Sequence, residues 1–192
     1  AYLYHNNQIK FQTSSSGISV SGSVTADDAL TVTSTDAGDS FDPDITLYRN
    51  SSSPADNDGT GLINFKGRND NSQDVNYVQI QTAASDVSDG SENGFFSINT
   101  MVDGSLSNRL DIASNGYVGL GTSSPKRHFH LNGGNETTKI QITNQTTGSS
   151  SDGDGFQMGI ATDGTVGIEQ RENADMYFTT NNSERMRLTA DG

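Results

Sequence analysis

The chain has 192 residues, only 30% of them hydrophobic, with no Cys or Trp and a formal net charge of −13. The acidic balance argues against nucleic acid and anionic membrane as partners, because both require clustered Lys and Arg. The lack of Cys excludes disulfides and thiol chemistry, and no apolar run approaches the roughly 20 residues of a membrane helix, so no membrane insertion is expected.

The low apolar content places the composition near the boundary of disordered proteins, but a clear strand periodicity argues against disorder. A monomer of this length would bury about 70% of its unfolded surface. These strands carry few large side chains with which to do so, and we therefore expect the chain to bury apolar surface against copies of itself. Because a strand pattern already runs at Ala1, and no signal peptide is recognised, we expect a fragment or a processed piece.

The first predicted elements are short strands separated by polar stretches. Ile9 and Phe11 alternate with polar residues up to a turn at Gly17. Two further alternating pairs follow, Leu30 with Val32 and Ile45 with Leu47. The only candidate for helix is a single turn over residues 27–30, so the sequence predicts an all-β fold.

The middle of the chain continues this pattern after a polar loop at 50–61. Strands are predicted at 62–65, 77–80, 95–98 and 110–112. Asn115-Gly116 then predicts a hairpin with a type I′ turn, which requires φ > 0 at both central residues. Val118 and Leu120 resume the alternation, and the glycines at 119 and 121 are small enough for another backbone to approach closely.

The last third of the chain repeats the spacing of the middle. Alternating pairs at 129/131 and 140/142 and a loop at 144–155 correspond to residues 30/32, 45/47 and 50–61. Strands at 156–160, 166–168, 176–178 and 186–188 then correspond to 62–65, 77–80, 95–98 and 110–112. The start of the chain also resembles its end, since the pairs Asn6-Asn7 and Asn181-Asn182 lie 175 positions apart (181 − 6). We predict three modules: the end of one at 1–22, a complete one at 23–121 and a shorter one at 122–192.

Two phrases in this repeat resemble a known family. They are Glu-Arg-Met-Arg-Leu-x-x-x-Gly at 184–192 and Gly-Tyr-Val-Gly-Leu-Gly-Thr-Ser-Ser-Pro at 116–125. They look like the repeated segment in tail fibres and tail spikes of tailed bacteriophages, which typically precedes a C-terminal, self-cleaving intramolecular chaperone domain. The phrases cover about a third of the chain directly and the rest through the repeats. No catalytic Ser or Lys of the chaperone can be matched here.

The resemblance implies an elongated, parallel homotrimer, located in the virion tail and facing the host. Its partners would be other tail or fibre proteins and a host surface glycan or protein. The expected function is a structural fibre segment that projects, or forms part of, the receptor-binding apparatus. In a binding role the loops at 50–61, 66–76 and 82–94 would contact the host. The alternatives are a tail spike with glycan-binding or depolymerase activity and a bacterial trimeric surface adhesin.

Two histidines form a His-x-His at His128 and His130, and positions i and i+2 of a strand share a face. Around a three-fold axis, six imidazoles could surround one transition-metal ion. The repeat argues against such a site, because it makes Phe129 and Leu131 the buried pair and places both histidines on the opposite face. We therefore predict no metal there and retain the histidines only as weak candidates.

Acidic loops at 56–59, 86–94 and 152–155 are the other candidates for a metal. None has the twelve-residue Ca²⁺-binding pattern that ends in Glu, and Asp, Asn and Gly are ordinary turn residues. Asp152 and Asp154 remain weak Ca²⁺ candidates, and no cofactor is predicted. Because no carboxylate pair is singled out and no nucleophile or phosphate-loop motif is present, we predict no enzymatic activity for this segment.

Overall fold

The computed structural model describes residues 2–5, 8–14, 17–39 and 41–191. Within these residues the secondary structure comprises fourteen β-strands and no helix, which confirms the all-β prediction. The predicted single turn at 27–30 is not helical: residues 27 and 28 form a bend. One isolated helical turn fixes several backbone angles for one hydrogen bond, so it does not persist without further turns.

The chain forms two compact units, residues 1–46 and 47–192. The first contains an antiparallel sheet of β1 (Tyr2–His5), β2 (Gln8–Ser14) and β3 (Gly17–Val20). No strand follows in 21–39 or 41–46, so the strands predicted around Leu30, Val32 and Ile45 are absent, and Leu47 of the second unit is also irregular. Alternation creates one apolar face, but a strand also needs a neighbouring backbone for its hydrogen bonds, and these segments pair with none of the described residues.

The second unit is built on a six-stranded sheet in sequence order. The four pairs from β4–β5 to β7–β8 are antiparallel, whereas β8 and β9 are parallel. The strands predicted at 62–65, 77–80, 95–98 and 110–112 all lie in this sheet. The six strands are β4 (Asp58–Arg68), β5 (Asp74–Asp86), β6 (Asn93–Val102), β7 (Ser105–Ile112), β8 (Val118–Leu120) and β9 (Phe129–Leu131).

The predicted hairpin between β7 and β8 is present, but the predicted type I′ turn is wrong. Gly116 has φ of 79°, whereas Asn115 does not have a positive φ. The Gly116 N–H donates to the Ala113 oxygen at 2.9 Å, and the Ala113 N–H donates to the Tyr117 oxygen at 2.9 Å. This is a three-residue loop made of a type I turn followed by a left-handed glycine, which also suits the strand twist.

The glycines after this turn do allow close backbone contact, as predicted. A Cβ at Gly119 would collide with the main-chain oxygen of Thr122, and one at Gly121 with that of Asn132. The contacting backbone belongs to the same chain, because residues 121–128 connect β8 to its parallel neighbour β9. Pro125 in this connection is buried.

Two smaller sheets complete the second unit. The first is antiparallel and consists of β10 (Thr138–Ile142), β11 (Phe156–Ile160) and β12 (Val166–Gln170). The second is a hairpin of β13 (Met176–Thr180) and β14 (Ser183–Leu188). The strands predicted at 140–142, 156–160, 166–168, 176–178 and 186–188 are therefore present.

Three hairpins in the chain have the same local geometry. In β13–β14 the register shifts after Phe178, in β6–β7 after Ile98, and in β1–β2 after Leu3. The pairing of β1 with β2 reproduces that of β13 with β14 at the spacing of 175 found in the sequence. The strand β9 lies beyond the predicted boundary at 121/122 yet belongs to the six-stranded sheet, and the module boundaries stay predictions.

One further internal repeat was not recognised in the sequence. The segments 112–120 and 160–168 share the pattern Ile-Ala-x-Asx-Gly-x-Val-Gly-Leu/Ile. Their turns are the same, because Ala161 and Gly164 make the hydrogen bonds that Ala113 and Gly116 make in the first copy. The Thr165 N–H donates to the Asp163 carboxylate at 2.9 Å, and this bond lowers the pKa of Asp163 below its ordinary value.

Candidate interaction surface

One face of the six-stranded sheet is apolar across every strand. Directly paired residues of neighbouring strands share a face, so the pairings define continuous rows. One row contains Ile63, Ile80, Ile98, Leu110, Leu120 and Leu131. The next contains Gly61, Thr82, Phe96, Ile112, Val118 and Phe129. We call this surface the apolar face.

The opposite side of the sheet, called here the polar face, carries hydroxyls, amides and a carboxylate. Its row across the six strands contains Leu62, Gln81, Ser97, Asp111, Gly119 and His130. Ser97 donates its hydroxyl to Asp111 Oδ2 at 2.5 Å, and Gln79 Nε2 donates to Asn64 Oδ1 at 2.8 Å. The polar side chains therefore satisfy one another across strands.

Burial of the two faces is the reverse of the usual arrangement. On the polar face Ser97 is 1% exposed and Asp111 4% exposed. On the apolar face Phe129 is 52% exposed and Ile63 47% exposed. Apart from Pro125 and glycines, Ala83 is the only buried apolar residue among those whose side chains the structure describes. One copy of this chain therefore leaves its apolar face in water.

The sheet of β10 to β12 is amphipathic in the same way. Its apolar row pairs Ile140 with Met158 and Met158 with Ile168, and the last two are 43% and 59% exposed. Next to this row lies an open groove of about 500 Å³ that extends to β9. Its apolar lining comprises Phe129, Leu131, Ile140, Met158, Ile160, Val166 and Ile168. The groove thus joins apolar residues of β9 and the smaller sheet.

The other side of this smaller sheet has an ion-pair network. Lys139 Nζ lies 2.6 Å from Glu169 Oε1 and donates to Gln157 Oε1 at 3.2 Å. Arg171 contacts the second oxygen of Glu169 at 3.1 Å. The hydrogen bond from Lys139, aided by the charges of Lys139 and Arg171, lowers the pKa of Glu169 below its ordinary value. Gln157 is only 4% exposed, so polar groups again occupy the most buried position.

The hairpin β13–β14 has its apolar residues on one side and its arginines on the other. Met176 pairs with Leu188 and Phe178 with Met186, and the last three are about half exposed. Arg187 lies over the ring of Tyr177, 5.5 Å from its centroid.

Both arginines of β14 have partners within their own hairpin and the residue that precedes it. Arg187 binds Asp175 at 2.6 Å and also Glu184, while Arg185 Nε donates to Thr180 Oγ1 at 2.8 Å. The hydrogen bonds from Arg187 lower the pKa of both carboxylates, and the pKa of Arg187 is raised in turn.

The structure places the two candidate histidines apart from any metal-binding cluster. His128 packs edge-on against Tyr117, with ring centroids 4.8 Å apart, and His130 Nδ1 accepts the Lys126 N–H at 3.3 Å. His130 pairs with Gly119 on the polar face. The expectation that Phe129 is buried is wrong for a single chain, because about half of its side-chain surface remains exposed on the apolar face.

The candidate aspartates accept hydrogen bonds from their own loop and from the adjoining strand β11. Asp154 Oδ2 accepts the N–H groups of Ser150 and Ser151 at 3.1 Å, and the main-chain oxygen of Asp152 accepts Gln157 Nε2. No group of three or more His, Cys, Asp or Glu residues that could hold a metal occurs among the described residues.

Two of the three loops predicted to contact a host lie together. Asp56 Oδ1 accepts the Val87 N–H at 3.0 Å, and the Asn57 N–H donates to the Ala84 oxygen at 2.7 Å. The ends of these predicted loops are strand, because β4 begins at Asp58 and β5 extends to Asp86, and the remaining loop residues 50–57 and 87–92 meet at one end of the six-stranded sheet. Of the predicted loop 66–76, only residues 69–73 form the β4–β5 turn at the other end.

Sequence reasoning missed the hydrogen-bonded pair of Ser97 and Asp111. The signal was present, because the alternation of Phe96 with Ile98 leaves Ser97 on the opposite face. Register was the missing information, since only pairing places Asp111 beside Ser97.

No helix able to cross a membrane occurs in the part of the chain that the structure describes. No protein-family model matches this sequence. A search of curated proteins likewise finds no significant match.

Proposed function

We propose that this chain is a structural segment of a phage tail fibre that works as a homotrimer and projects, or forms part of, the receptor-binding apparatus. The observation that carries the proposal is the exposure of the apolar faces in a single copy, with Ala83 as the main buried apolar residue. A chain with this distribution needs a partner surface to cover it.

The free energy available from covering these faces is large. Fully burying one Val, Leu, Ile, Phe or Met side chain contributes roughly 1.5–3 kcal/mol. The two apolar rows of the six-stranded sheet alone hold ten such side chains. Association costs about 4–15 kcal/mol in lost translational and rotational freedom. Seven of these ten side chains are already partly buried in one copy, so covering the face gains only part of this free energy, an amount comparable to the cost of association.

The proposed partner is a second and a third copy of the same chain. Each sheet of the second unit presents one apolar and one polar face, so three copies can direct their apolar faces to a common axis and keep the polar faces outside. The resemblance of residues 116–125 and 184–192 to phage tail-fibre repeats supports a parallel trimer. A net charge of −13 per chain keeps such an assembly soluble.

The proposed role is mechanical and adhesive, not catalytic. Loops tolerate change because they lie on the surface of a rigid scaffold. The loop residues 50–57 and 87–92, which meet at one end of the sheet, form a composite surface that we propose for contact with a host glycan or protein.

Light scattering on the wild-type chain and on Phe129→Asp tests the assembly. We expect a wild-type mass of three times 20.4 kDa and a smaller species for Phe129→Asp, because the charge would lie in the shared interior. His128→Asp, an exposed neighbour that contacts Tyr117, is the matched control and should remain trimeric. A monomeric wild-type chain would refute the proposal.

Immunoelectron microscopy of lysates tests the location. An antibody against this chain should label the tails of phage particles. Labelling of the bacterial surface instead would favour a trimeric surface adhesin.

A further inference from the structure

The hairpins β7–β8 and β11–β12 share their turn and also the residues that follow it. β8 consists of Val118-Gly119-Leu120, and β12 begins with Val166-Gly167-Ile168. The outer edge of β8 is covered by β9, which runs parallel to it. β12 is the last strand of its sheet, so its outer edge pairs with no strand of the described residues. The second copy of this motif therefore lacks the strand that completes the first.

Main-chain groups at the outer edge of β12 point away from its own sheet. In an antiparallel pair, alternate residues direct both their N–H and their C=O to the partner strand. The Arg171 N–H donates to the Gly155 oxygen at 3.0 Å, so the odd-numbered residues of β12 bond to β11. Val166 and Ile168 therefore direct their groups to the open edge, as the equivalent residues of β8 do toward β9. These groups can receive one more strand.

The strand β13 has an open edge of the matching kind. It pairs only with β14, in the way that β6 pairs with β7. The apolar-face residues of β6 bond to β7, because the odd-numbered residues of β7 bond to β8. By the same alternation, Met176 and Phe178 bond to β14 and Tyr177 faces the open edge. The segment around β9 bonds to β8 in this way too, through His128 and Asn132, which alternate with its apolar residues.

The linker 171–175 keeps β13 away from β12 of the same chain. Its start is held at the small sheet, because Glu172 accepts a main-chain N–H beside β11 at 2.8 Å. Its end is held at the hairpin, because Asp175 binds Arg187 at 2.6 Å. A parallel neighbour also needs a connection long enough to return to the other end of the sheet, and this linker is shorter than the connection 121–128 that leads to β9. A strand from another copy is free of this limit.

We propose that β13 of one copy adds to the outer edge of β12 of a neighbouring copy as a parallel strand. This inference rests on the proposed trimer and names one of its interfaces. In the register that β8 and β9 adopt, the first apolar residues of the two strands lie opposite each other. Val166 then lies opposite Met176 of the partner subunit, and Ile168 lies opposite Phe178 of the partner subunit.

This addition joins the two small sheets of the second unit into one amphipathic sheet across two copies. The apolar row Ile140, Met158 and Ile168 continues into the partner's Phe178 and the partner's Met186. The hairpin β13–β14, marginal as a two-stranded ribbon, becomes part of a larger sheet. Each copy donates β13 to one neighbour and receives a strand at β12 from the other. Three copies close this head-to-tail contact into a ring.

Engineered cysteines test the pairing, since the chain has none of its own. In the proposed register Gly167 lies opposite the partner's Tyr177, with Cα atoms about 4.8 Å apart, which is within the range of a disulfide. A Cβ at Gly167 would meet only the flexible end of the Glu169 side chain. After oxidation, the double variant Gly167→Cys with Tyr177→Cys should give a covalent species of three times 20.4 kDa on a non-reducing denaturing gel. Reduction should return it to the mass of one chain.

The other outcomes separate this inference from the proposed function. A disulfide within one chain would show that β13 pairs with its own β12 and would overturn the inference. Free thiols in a chain that is trimeric by light scattering would also overturn it and leave the proposed function standing. A monomer would overturn both. Gly167→Cys with Arg185→Cys is the matched control, because β14 lies one strand further away, roughly 10 Å from β12, and should give no covalent trimer.

Tyr177→Pro tests the same edge without cysteines. Proline removes an N–H that faces the open edge, and an edge strand tolerates it there. Compared with Tyr177→Ala, which also lacks the ring, Tyr177→Pro should raise the concentration at which half of the chain is trimeric by at least about tenfold. Equal concentrations for the two variants would mean that no strand adds to this edge, and the inference would be overturned.

Discussion

The hairpins β6–β7 and β13–β14 have the same local structure in different surroundings. In both, a bulge follows an apolar-face residue of the first strand, Ile98 or Phe178, and an arginine at the bulge donates Nε to a threonine hydroxyl. Arg109 binds Thr100 at 2.7 Å, and Arg185 binds Thr180 at 2.8 Å. Local sequence is therefore sufficient to set register, bulge and arginine position.

The difference between the hairpins lies in what flanks them. β6–β7 pairs with β5 on one side and β8 on the other, whereas β13–β14 is a two-stranded sheet. A two-stranded hairpin is marginal in water unless its apolar face packs against something. Phe178, Met186 and Leu188 are about half exposed. If the chain assembles as proposed, β13–β14 should therefore depend most on neighbouring copies.

The largest expected effect comes from truncating the apolar side of β13–β14. If copies of the chain cover this side, Phe178→Ala should lower the free energy of unfolding by about 3–5 kcal/mol per chain, as for a core Phe. Chemical denaturation of the trimer measures this loss. Phe96→Ala, on the apolar face two residues before Ile98 of β6, should cost a similar amount.

Tyr177→Ala provides the matched control, because Tyr177 is 60% exposed and lies on the opposite side under Arg187. Tyr177→Ala should lower the free energy of unfolding by about 1 kcal/mol or less. A loss below about 0.5 kcal/mol for Phe178→Ala would mean that the Phe178 side chain stays in water. The idea that neighbouring copies cover β13–β14 would then be contradicted.

A smaller effect is expected at the two turns with the same geometry. Gly116 and Gly164 have φ of 79° and 86°, and a side chain in this region costs about 1–2 kcal/mol. Gly116→Ala and Gly164→Ala should therefore lower the denaturation midpoint by similar amounts. Gly59→Ala is the control, since Gly59 has ordinary φ and open space around its Cβ. Unequal losses at 116 and 164 would show that the turns are not energetically equivalent.

The smallest effect concerns the charges of β13–β14. Arg187 lowers the pKa of Asp175 and Glu184 below their ordinary values of 3.8 and 4.5. A lowered pKa in the folded state adds stability above the ordinary pKa, and this stability is lost as pH falls through the folded value. Arg187→Gln should therefore lower the melting temperature at pH 7 by at most about 2 °C, with a difference that narrows below pH 4.5.

Arg185→Gln removes the same charge but only a hydrogen bond to Thr180, so it separates the ion pairs from the net charge. The melting temperature of Arg185→Gln should differ from that of the wild type by a nearly constant amount between pH 7 and pH 3. If the melting temperatures of Arg187→Gln and the wild type changed in parallel with pH, the stabilising role of the Arg187 ion pairs would be contradicted.

Strand positions in the second unit could be predicted because alternation and turn residues are local signals. The pairs Leu110/Ile112 and Met186/Leu188 fixed their own strands, and Gly116 fixed the turn between β7 and β8. The same signal misled at Leu30, Val32 and Ile45, since alternation does not provide a neighbouring strand.

The sequence by itself determined the all-β class, most strands of the second unit and the amphipathic character of each. It did so because strand periodicity and turn chemistry depend on residues a few positions apart. Only the tertiary structure decided which residues share a face, that Asp111 is buried beside Ser97, and that the apolar faces stay open in one copy. These features depend on register and on coverage by distant segments, and neither is encoded in local spacing.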